Sequence, residues 1–412
     1  MILKKLKLTN FRNYLDFEEG FHHLKTIIIG QNAQGKSNIL EAINILATSQ
    51  SDRAEKDSNL VYWNKEYALI FANIKTKEDD LDIALQINST GRRKLKMNGV
   101  AKKAPQADLV GNFFSVMFSC DDLYLIKGSP SIRRNWIDNV LFQLDTKYHK
   151  ALQNYQKSVV QKNALLKKAQ EGNLSRKALK EQLDIWNEQI LNFGTEVIYT
   201  RINFIADLQP IAKDFQDRIS KQTEDLDMIY KSTIQNLALS TQLSAISTET
   251  EKQETGDKKQ ETEDKKIMPH ASCLNPQSLR ESFKQALDKS FDEELARGQS
   301  VIGPHRDDLI FLINKKEAKS FASQGQQRSF VLSIKLAELQ IIENRKGEIP
   351  VLLLDHVFAE LDESRQDFLL HNLPKNIQIF LTTTHLSDVQ KEFLQEAQIL
   401  EVEAGKIKVK HL

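Results

Sequence analysis

The stretch Gly30-Gln31-Asn32-Ala33-Gln34-Gly35-Lys36-Ser37 follows the pattern G-x-x-x-x-G-K-[ST], a loop that wraps the phosphates of a nucleoside triphosphate. Its flanks give the match its weight. Before it, Thr26-Ile27-Ile28-Ile29 is a β-branched run that reads as a buried strand. After it, Ile39, Leu40, Ile43 and Leu46 recur at helical spacing. A glycine-rich turn between a strand and a helix lets backbone N–H groups face an anion, and the helix N-terminus adds partial positive charge. In that frame Gly30, Gln31, Asn32, Ala33, Gln34 and Gly35 form the cradle. Lys36 reaches the β- and γ-phosphates, and the Ser37 hydroxyl is a ligand for Mg²⁺. A plain strand–helix turn is the alternative reading, and the two flanks argue against it.

A chain of 412 residues predicts two domains rather than one core. Apolar residues at 40% and charged residues at 27% are ordinary for a globular protein. Lys and Arg number 57 against 56 Asp and Glu, a net charge of +1, so nucleic-acid binding has to come from local basic patches. No apolar run approaches the roughly 18 residues of a membrane helix, so no membrane partner is expected. Residues 1–7 alternate like a strand, and no signal-peptide core follows them. Cys120 and Cys273 lie far apart without metal spacing, which suggests a reduced, cytoplasmic compartment.

Strands are expected at 2–8 and 26–29, with the polar segment Thr9-Asn10-Phe11-Arg12-Asn13-Tyr14 as a loop between them. That loop either approaches the nucleotide or merely connects. Residues 67–74 and 81–87 alternate as antiparallel strands. Arg92-Arg93-Lys94-Leu95-Lys96-Met97-Asn98-Gly99 ends in Asn-Gly, a strong hairpin signal. Its cations, with Lys102 and Lys103, either meet a phosphate backbone or guard a sheet edge. Residues 113–118 read as a further strand. From 131 to about 217 the periodicity turns helical, with Gly172 and Gly194 as interruptions, and predicts an arm of two or three helices. Residues 248–266 carry no large apolar side chain and are expected to be disordered, or else a charged helix extension. Helical spacing returns at 278–294.

The last hundred residues complete the loop's site. Ile349-Pro350-Val351-Leu352-Leu353-Leu354-Asp355 is an apolar strand ending in a carboxylate, the place where Mg²⁺ is held in phosphate-loop enzymes. Ala322-Ser323-Gln324-Gly325-Gln326 precedes a helix patterned by Phe330, Ile334, Ala337 and Ile341, and is a second anion seat. The cluster resembles the signature of ABC-type ATPases, which contacts the nucleotide bound by the opposite subunit. Here the usual leucine and first glycine are replaced. That resemblance also assigns Asp362, in Phe358-Ala359-Glu360-Leu361-Asp362, to the dimer interface. It makes His385, after the strand 378–384, the sensor of the γ-phosphate.

The motif set narrows further. Asn10-Phe11-Arg12-Asn13-Tyr14, the loop through Asn38, Lys127-Gly128-Ser129-Pro130-Ser131-Ile132-Arg133-Arg134, Gln161-Lys162-Asn163-Ala164-Leu165-Leu166-Lys167 and Gly303-Pro304-His305-Arg306-Asp307-Asp308-Leu309 together resemble the RecF family of bacterial DNA replication and repair proteins. The resemblance covers 1–231 and 295–385. It implies an α/β fold: an ABC-type, SMC-like ATPase head of mixed sheets and helices with an inserted, mainly helical arm. The expected division is 1–130, 131–300 and 301–412, the outer two forming the head. It implies ATP and Mg²⁺ as ligands and an ATP-dependent homodimer that sandwiches each nucleotide between the loop of one copy and Ser323, Gly325 and Gln326 of the other. Arg12 and Asn13 join Asn32, Lys36 and Ser37 around the nucleotide. Implied partners are gapped or junction DNA and the proteins RecR and RecO, with recombinase loading as the outcome.

One departure bears on the chemistry. Members of the family it resembles usually have a second acidic residue after the Asp355 position, and this chain has His356. Slow ATP hydrolysis with intact ATP binding is therefore expected. An ATP subunit of a membrane transporter and a small-molecule kinase are the alternatives. The long helical insert disfavours the first, and Ser323–Gln326 with Asp362 disfavours the second. Lys4, Lys5, Lys7, the 92–103 hairpin, Lys162, Lys167 and Lys168 are all candidate DNA contacts.

Overall fold

The computed structural model describes residues 1–171, 176–234 and 275–410. The stretch 248–266, Gly172 and Cys273 lie outside the described residues. The chain divides into two compact units. One comprises Met1–Thr146, Leu208–Asp227 and Phe311–Leu412, the other Lys147–Asp207 and Met228–Ile310.

The first unit contains two six-stranded sheets. One is antiparallel: β1 (Ile2–Phe11), β2 (Tyr14–Gly20), β4 (Tyr67–Lys75), β5 (Asp80–Asn88), β6 (Arg93–Met97) and β7 (Val100–Lys102), in the order β2-β1-β4-β5-β6-β7. Its strands alternate as a sheet with one buried face must: Ala68, Ile70, Ala72 and Ile74 of β4 and Ile83, Leu85 and Ile87 of β5 are buried. Asn98 (φ 47°) and Gly99 (φ 78°) make the β6–β7 turn, the left-handed pair that an Asn-Gly hairpin requires. The segment 9–14 is not a loop. Thr9–Phe11 extend β1, Arg12 and Asn13 turn the chain, and β2 pairs back along β1. Arg12 adopts φ 53° to make that turn.

The other sheet comprises β3 (Lys25–Ile29), β8 (Ser115–Ser119), β12 (Val351–Asp355), β13 (Ile379–Thr383), β14 (Ala397–Glu403) and β15 (Lys406–Lys410), in the order β15-β14-β3-β13-β12-β8. All its pairings are parallel except β14–β15. The apolar runs of β3, β12 and β13 suit strands covered on both faces. The helix Lys36–Thr48 is buried nearly all round, and its Ile39, Leu40, Ile43 and Leu46 join one core with residues of both sheets. Gln378 fastens the sheets together: its buried amide accepts from Leu3 N at 2.7 Å and donates to Leu3 O at 2.9 Å. A small three-stranded sheet has β10 (Asp308–Ile313) between β11 (Lys316–Glu317) and β9 (Leu226–Lys231).

The second unit draws on the helices Thr146–Gln170, Arg176–Ile219 and Pro276–Arg297. Gly194 does not interrupt its helix. A Cβ there would sit 2.7 Å from Phe283 Cε1 and 3.0 Å from Tyr155 Cε2, so the glycine serves close packing. Gly303, Pro304 and Asp307 of the motif 303–308 are buried and take part in a polar knot. The Tyr155 hydroxyl meets His305 Nδ1 at 2.5 Å, Asp307 accepts from Tyr230 OH at 2.8 Å and from Thr233 N at 2.7 Å, and Arg201 donates to Pro304 O at 2.8 Å. Burial pushes the Asp307 carboxyl up, against the pull of the Thr233 donors.

Candidate nucleotide site

The loop between β3 and its helix is held from two sides. Asn13, at the β1–β2 turn, donates from Nδ2 to Gln34 O at 2.8 Å, and its Oδ1 accepts from Asn38 Nδ2 at 2.8 Å. The Tyr14 hydroxyl donates to Gly35 O at 3.1 Å. From the β14–β15 turn, Ala404 N donates to Gln34 Oε1 at 2.6 Å and Gly405 N to Gln34 O at 3.2 Å. Gly30 and Gly35 are both demanded by geometry. A Cβ on Gly30 would lie 2.4 Å from Val402 O, and Gly35 has φ 112° with Asn13 Nδ2 2.5 Å from its would-be Cβ. Gln31, Asn32 and Ala33 form the exposed crest of the loop. Lys36 is 3% exposed and donates to Gly30 O at 2.7 Å and Gln31 O at 2.9 Å. Burial lowers its pKa, against the neighbouring Asp355.

The sheet order explains the second half of the site. β13 lies between β3 and β12, with Asp355 level with Thr382 and Thr382 level with Ile28. The carboxyl ends of three parallel strands therefore meet beside the loop, the usual ligand position in such sheets. Ser37 Oγ donates to Asp355 Oδ1 at 2.8 Å, and Thr382 Oγ1 donates to the same oxygen at 2.6 Å. Hard oxygens without a carboxylate cage suit Mg²⁺, which keeps several waters and takes phosphate oxygens as further ligands. No cluster of three or more His, Cys, Asp or Glu forms a metal cage among the described residues. Residue spacing does not single out Thr382, which meets Asp355 only through the pairing of β13 with β12.

His356 follows Asp355 with φ 57°, and its N–H donates to Thr382 Oγ1 at 3.1 Å. Burial lowers the imidazole pKa, Asp355 opposes this, and Lys36 adds to it. The neutral ring is thereby favoured. His385 is exposed, two residues past β13, with its N–H donating to Thr383 Oγ1 at 3.3 Å. Arg12 is tied to the helix Lys36–Thr48 that follows the loop. Its guanidinium clamps Glu41 at 2.8 and 2.5 Å and donates to Asn59 O at 3.0 Å.

Ser323 and Gln326 form a capping box at the start of the helix Gln324–Lys346. Ser323 Oγ accepts from Gln326 N at 3.2 Å, and Gln326 Oε1 accepts from Ser323 N at 2.8 Å. The Ser323 hydroxyl keeps its own proton to donate. Asp362 caps the helix Glu363–His371, accepting from Arg365 N at 2.9 Å. Among the described residues, no hydrogen bond or ion pair joins Ser323–Gln326 or Asp362 to Gly30–Ser37.

The basic candidates sort by their partners. Lys4 pairs with Asp80 at 2.9 Å, and Lys5 and Lys7 pair with Glu18 at 2.5 and 2.8 Å. Lys162, expected as a possible DNA contact, is 1% exposed and lies 2.6 Å from Glu294, so it faces no external ligand. Arg93 is tied to Asp57 at 2.6 Å. Arg92, Lys94, Lys96, Lys102 and Lys103 are exposed and have no carboxylate partner among the described residues.

Comparison with known proteins agrees with this geometry. The family model described as "RecF/RecN/SMC N terminal domain" matches residues 2–408. The "DNA replication and repair protein RecF" of Thermosynechococcus vestitus is 39% identical over 408 residues, covering 99% of this chain and 97% of that protein. The solved structure of "the recombination mediator protein RecF-ATPrS in RecFOR pathway" superposes with a TM-score of 0.82 at 30% identity, covering 100% of this chain and 98% of that one. The corresponding RecF-ATP structure gives 0.81 at 31% identity, covering 99% and 97%. With the family fixed, the transporter and kinase alternatives fall away. The chain belongs to the RecF family of DNA replication and repair proteins, with its α/β ATPase head and helical insertion.

Proposed function

We propose that this protein is an ATP switch of recombinational repair. It binds ATP and Mg²⁺ at Gly30–Ser37 and Asp355, dimerises in that state on gapped or junction DNA, and helps to load a recombinase with RecR and RecO. The observation that carries the reading is the division of the motifs. Ser37 and Asp355 meet at 2.8 Å, while Ser323–Gln326 is hydrogen-bonded elsewhere. A second copy supplies a simple role for that separate anion seat. Gln324 and Gly325 open their helix, where backbone N–H groups have no intrahelical acceptor, and the Ser323 hydroxyl can donate beside them.

In this reading Lys36 moves from Gly30 O and Gln31 O to the phosphates, and Asn13 keeps Gln34 in place. Ser37 and Asp355 would hold Mg²⁺, which would supply neutralisation of the phosphate charge. Asp362 lies at the interface with the second copy, and His385 senses the γ-phosphate. His356 is a neutral, half-buried ring in place of a carboxylate, so hydrolysis is slow and the ATP state is long-lived. Such a switch needs only a difference in dimer affinity between nucleotide states. The unpaired cations of the β6–β7 hairpin support a DNA-facing surface.

Binding to duplex, single-stranded and gapped DNA, each with and without ATP, tests the reading. Gapped DNA should bind most tightly, only with ATP, and with affinity that falls steeply as salt rises. Salt-insensitive binding, or none, would overturn it.

A further inference from the structure

Arg365 links the two motifs assigned to the partner's nucleotide, and nothing in the sequence motifs picks it out. Its Nη2 donates to Gly325 O at 3.1 Å, inside the Ser323–Gln326 seat. Its Nε donates to Ser329 Oγ at 3.1 Å, one turn further along the same helix. Its Nη1 pairs with the Asp362 carboxylate, whose other oxygen accepts from Arg365 N at 2.9 Å. One planar guanidinium thus spans the helix Gln324–Lys346 and the capping residue of the helix Glu363–His371. The fork geometry matters, because an ammonium has no fixed directions with which to reach three separate acceptors. Arg328 adds a parallel link to Glu360 at 2.6 Å, and the Gln366 amide holds the intervening loop through Phe358 O at 2.8 Å and Leu361 O at 3.1 Å.

The charge is as informative as the bonds. A cation beside a helix N-terminus opposes the helix dipole. Among the described residues Asp362 is the one carboxylate paired with it, and that side chain is 54% exposed. The arrangement becomes favourable when an anion reaches Ser323–Gln326, where the guanidinium and the N–H groups act together.

We infer that Arg365 is a positioning residue: it fixes Ser323–Gln326 against Asp362 and adds positive charge to the seat, so that both motifs meet the nucleotide of a second copy as one surface. This rests on the dimer reading above. Arg365 lies outside the loop site, so ATP binding to the isolated chain does not depend on it.

The test compares wild type with Arg365→Ala and Arg365→Lys. Three quantities are read: ATP affinity by calorimetry at monomer concentrations, melting temperature, and the dimer dissociation constant in ATP by sedimentation velocity. Both variants should bind ATP within about twofold of wild type. Arg365→Ala should weaken the dimer at least tenfold, and Arg365→Lys several-fold, since Lys keeps the charge but not the three-way bridge. If Arg365→Ala loses folding, Arg365→Lys decides alone. Variants that dimerise like wild type would overturn the inference and leave the dimer reading standing. A wild type that stays monomeric at saturating ATP would sink both.

Discussion

Asp355 Oδ1 accepts from two hydroxyls, Ser37 at 2.8 Å and Thr382 at 2.6 Å. Its neighbour His356 is held by backbone bonds to Thr382, so any group at position 356 starts from the same place. A carboxylate there could orient and activate water, and such base catalysis contributes about 10²–10⁴-fold in rate. His356→Asp should therefore raise ATP turnover by about tenfold or more with little change in ATP affinity. A steady-state assay showing equal or slower turnover would refute the role given to His356. Asn13 tests the loop itself. Asn13→Ala removes the bonds to Gln34 O and Asn38. At about 1 kcal/mol per neutral hydrogen bond, the two bonds set a fall in ATP affinity of up to about thirtyfold, measured by calorimetry. An unchanged affinity would mean that Tyr14 and the β14–β15 turn shape the loop without Asn13.

At the scale of elements, the β6–β7 hairpin separates two uses of charge. Lys94 and Lys96 point away from Leu95 and Met97, which are buried in the sheet. Replacing both by Glu keeps the exposed face of the hairpin charged but repels phosphate. DNA affinity should drop, and the slope of log affinity against log salt should lessen by about 2 if each lysine meets one phosphate. Unaltered binding would leave the hairpin as a guarded edge. In the second unit, Lys162 and Glu294 are each 1% exposed. Lys162→Ala leaves a buried charge unpaired and should cost about 3–5 kcal/mol in urea unfolding. These elements also show what could be read beforehand. The loop, the β12 carboxylate and the Asn-Gly turn were legible because each is a short pattern set in its own strand and helix. Thr382 was not, because it reaches Asp355 only through the order β3-β13-β12. Glu41, which claims Arg12, and Tyr155, which meets His305 across 150 positions, were hidden for the same reason. Such contacts are set by register and packing between distant segments, which residue spacing does not encode.

At the scale of the molecule, the loop Gly30–Ser37 with Asp355 and the helix start Ser323–Gln326 share no bond among the described residues. The account predicts that the two are used by different copies. Mixing chains tests this most directly. Lys36→Ala removes the loop of one chain, and Ser323→Arg blocks the seat of the other. A mixed dimer then still holds one site with intact loop and intact seat. Each variant alone should lack ATP-dependent hydrolysis, and the equimolar mixture should recover a substantial part of the wild-type single-turnover amplitude. A mixture no more active than the sum of its parts would contradict the shared site.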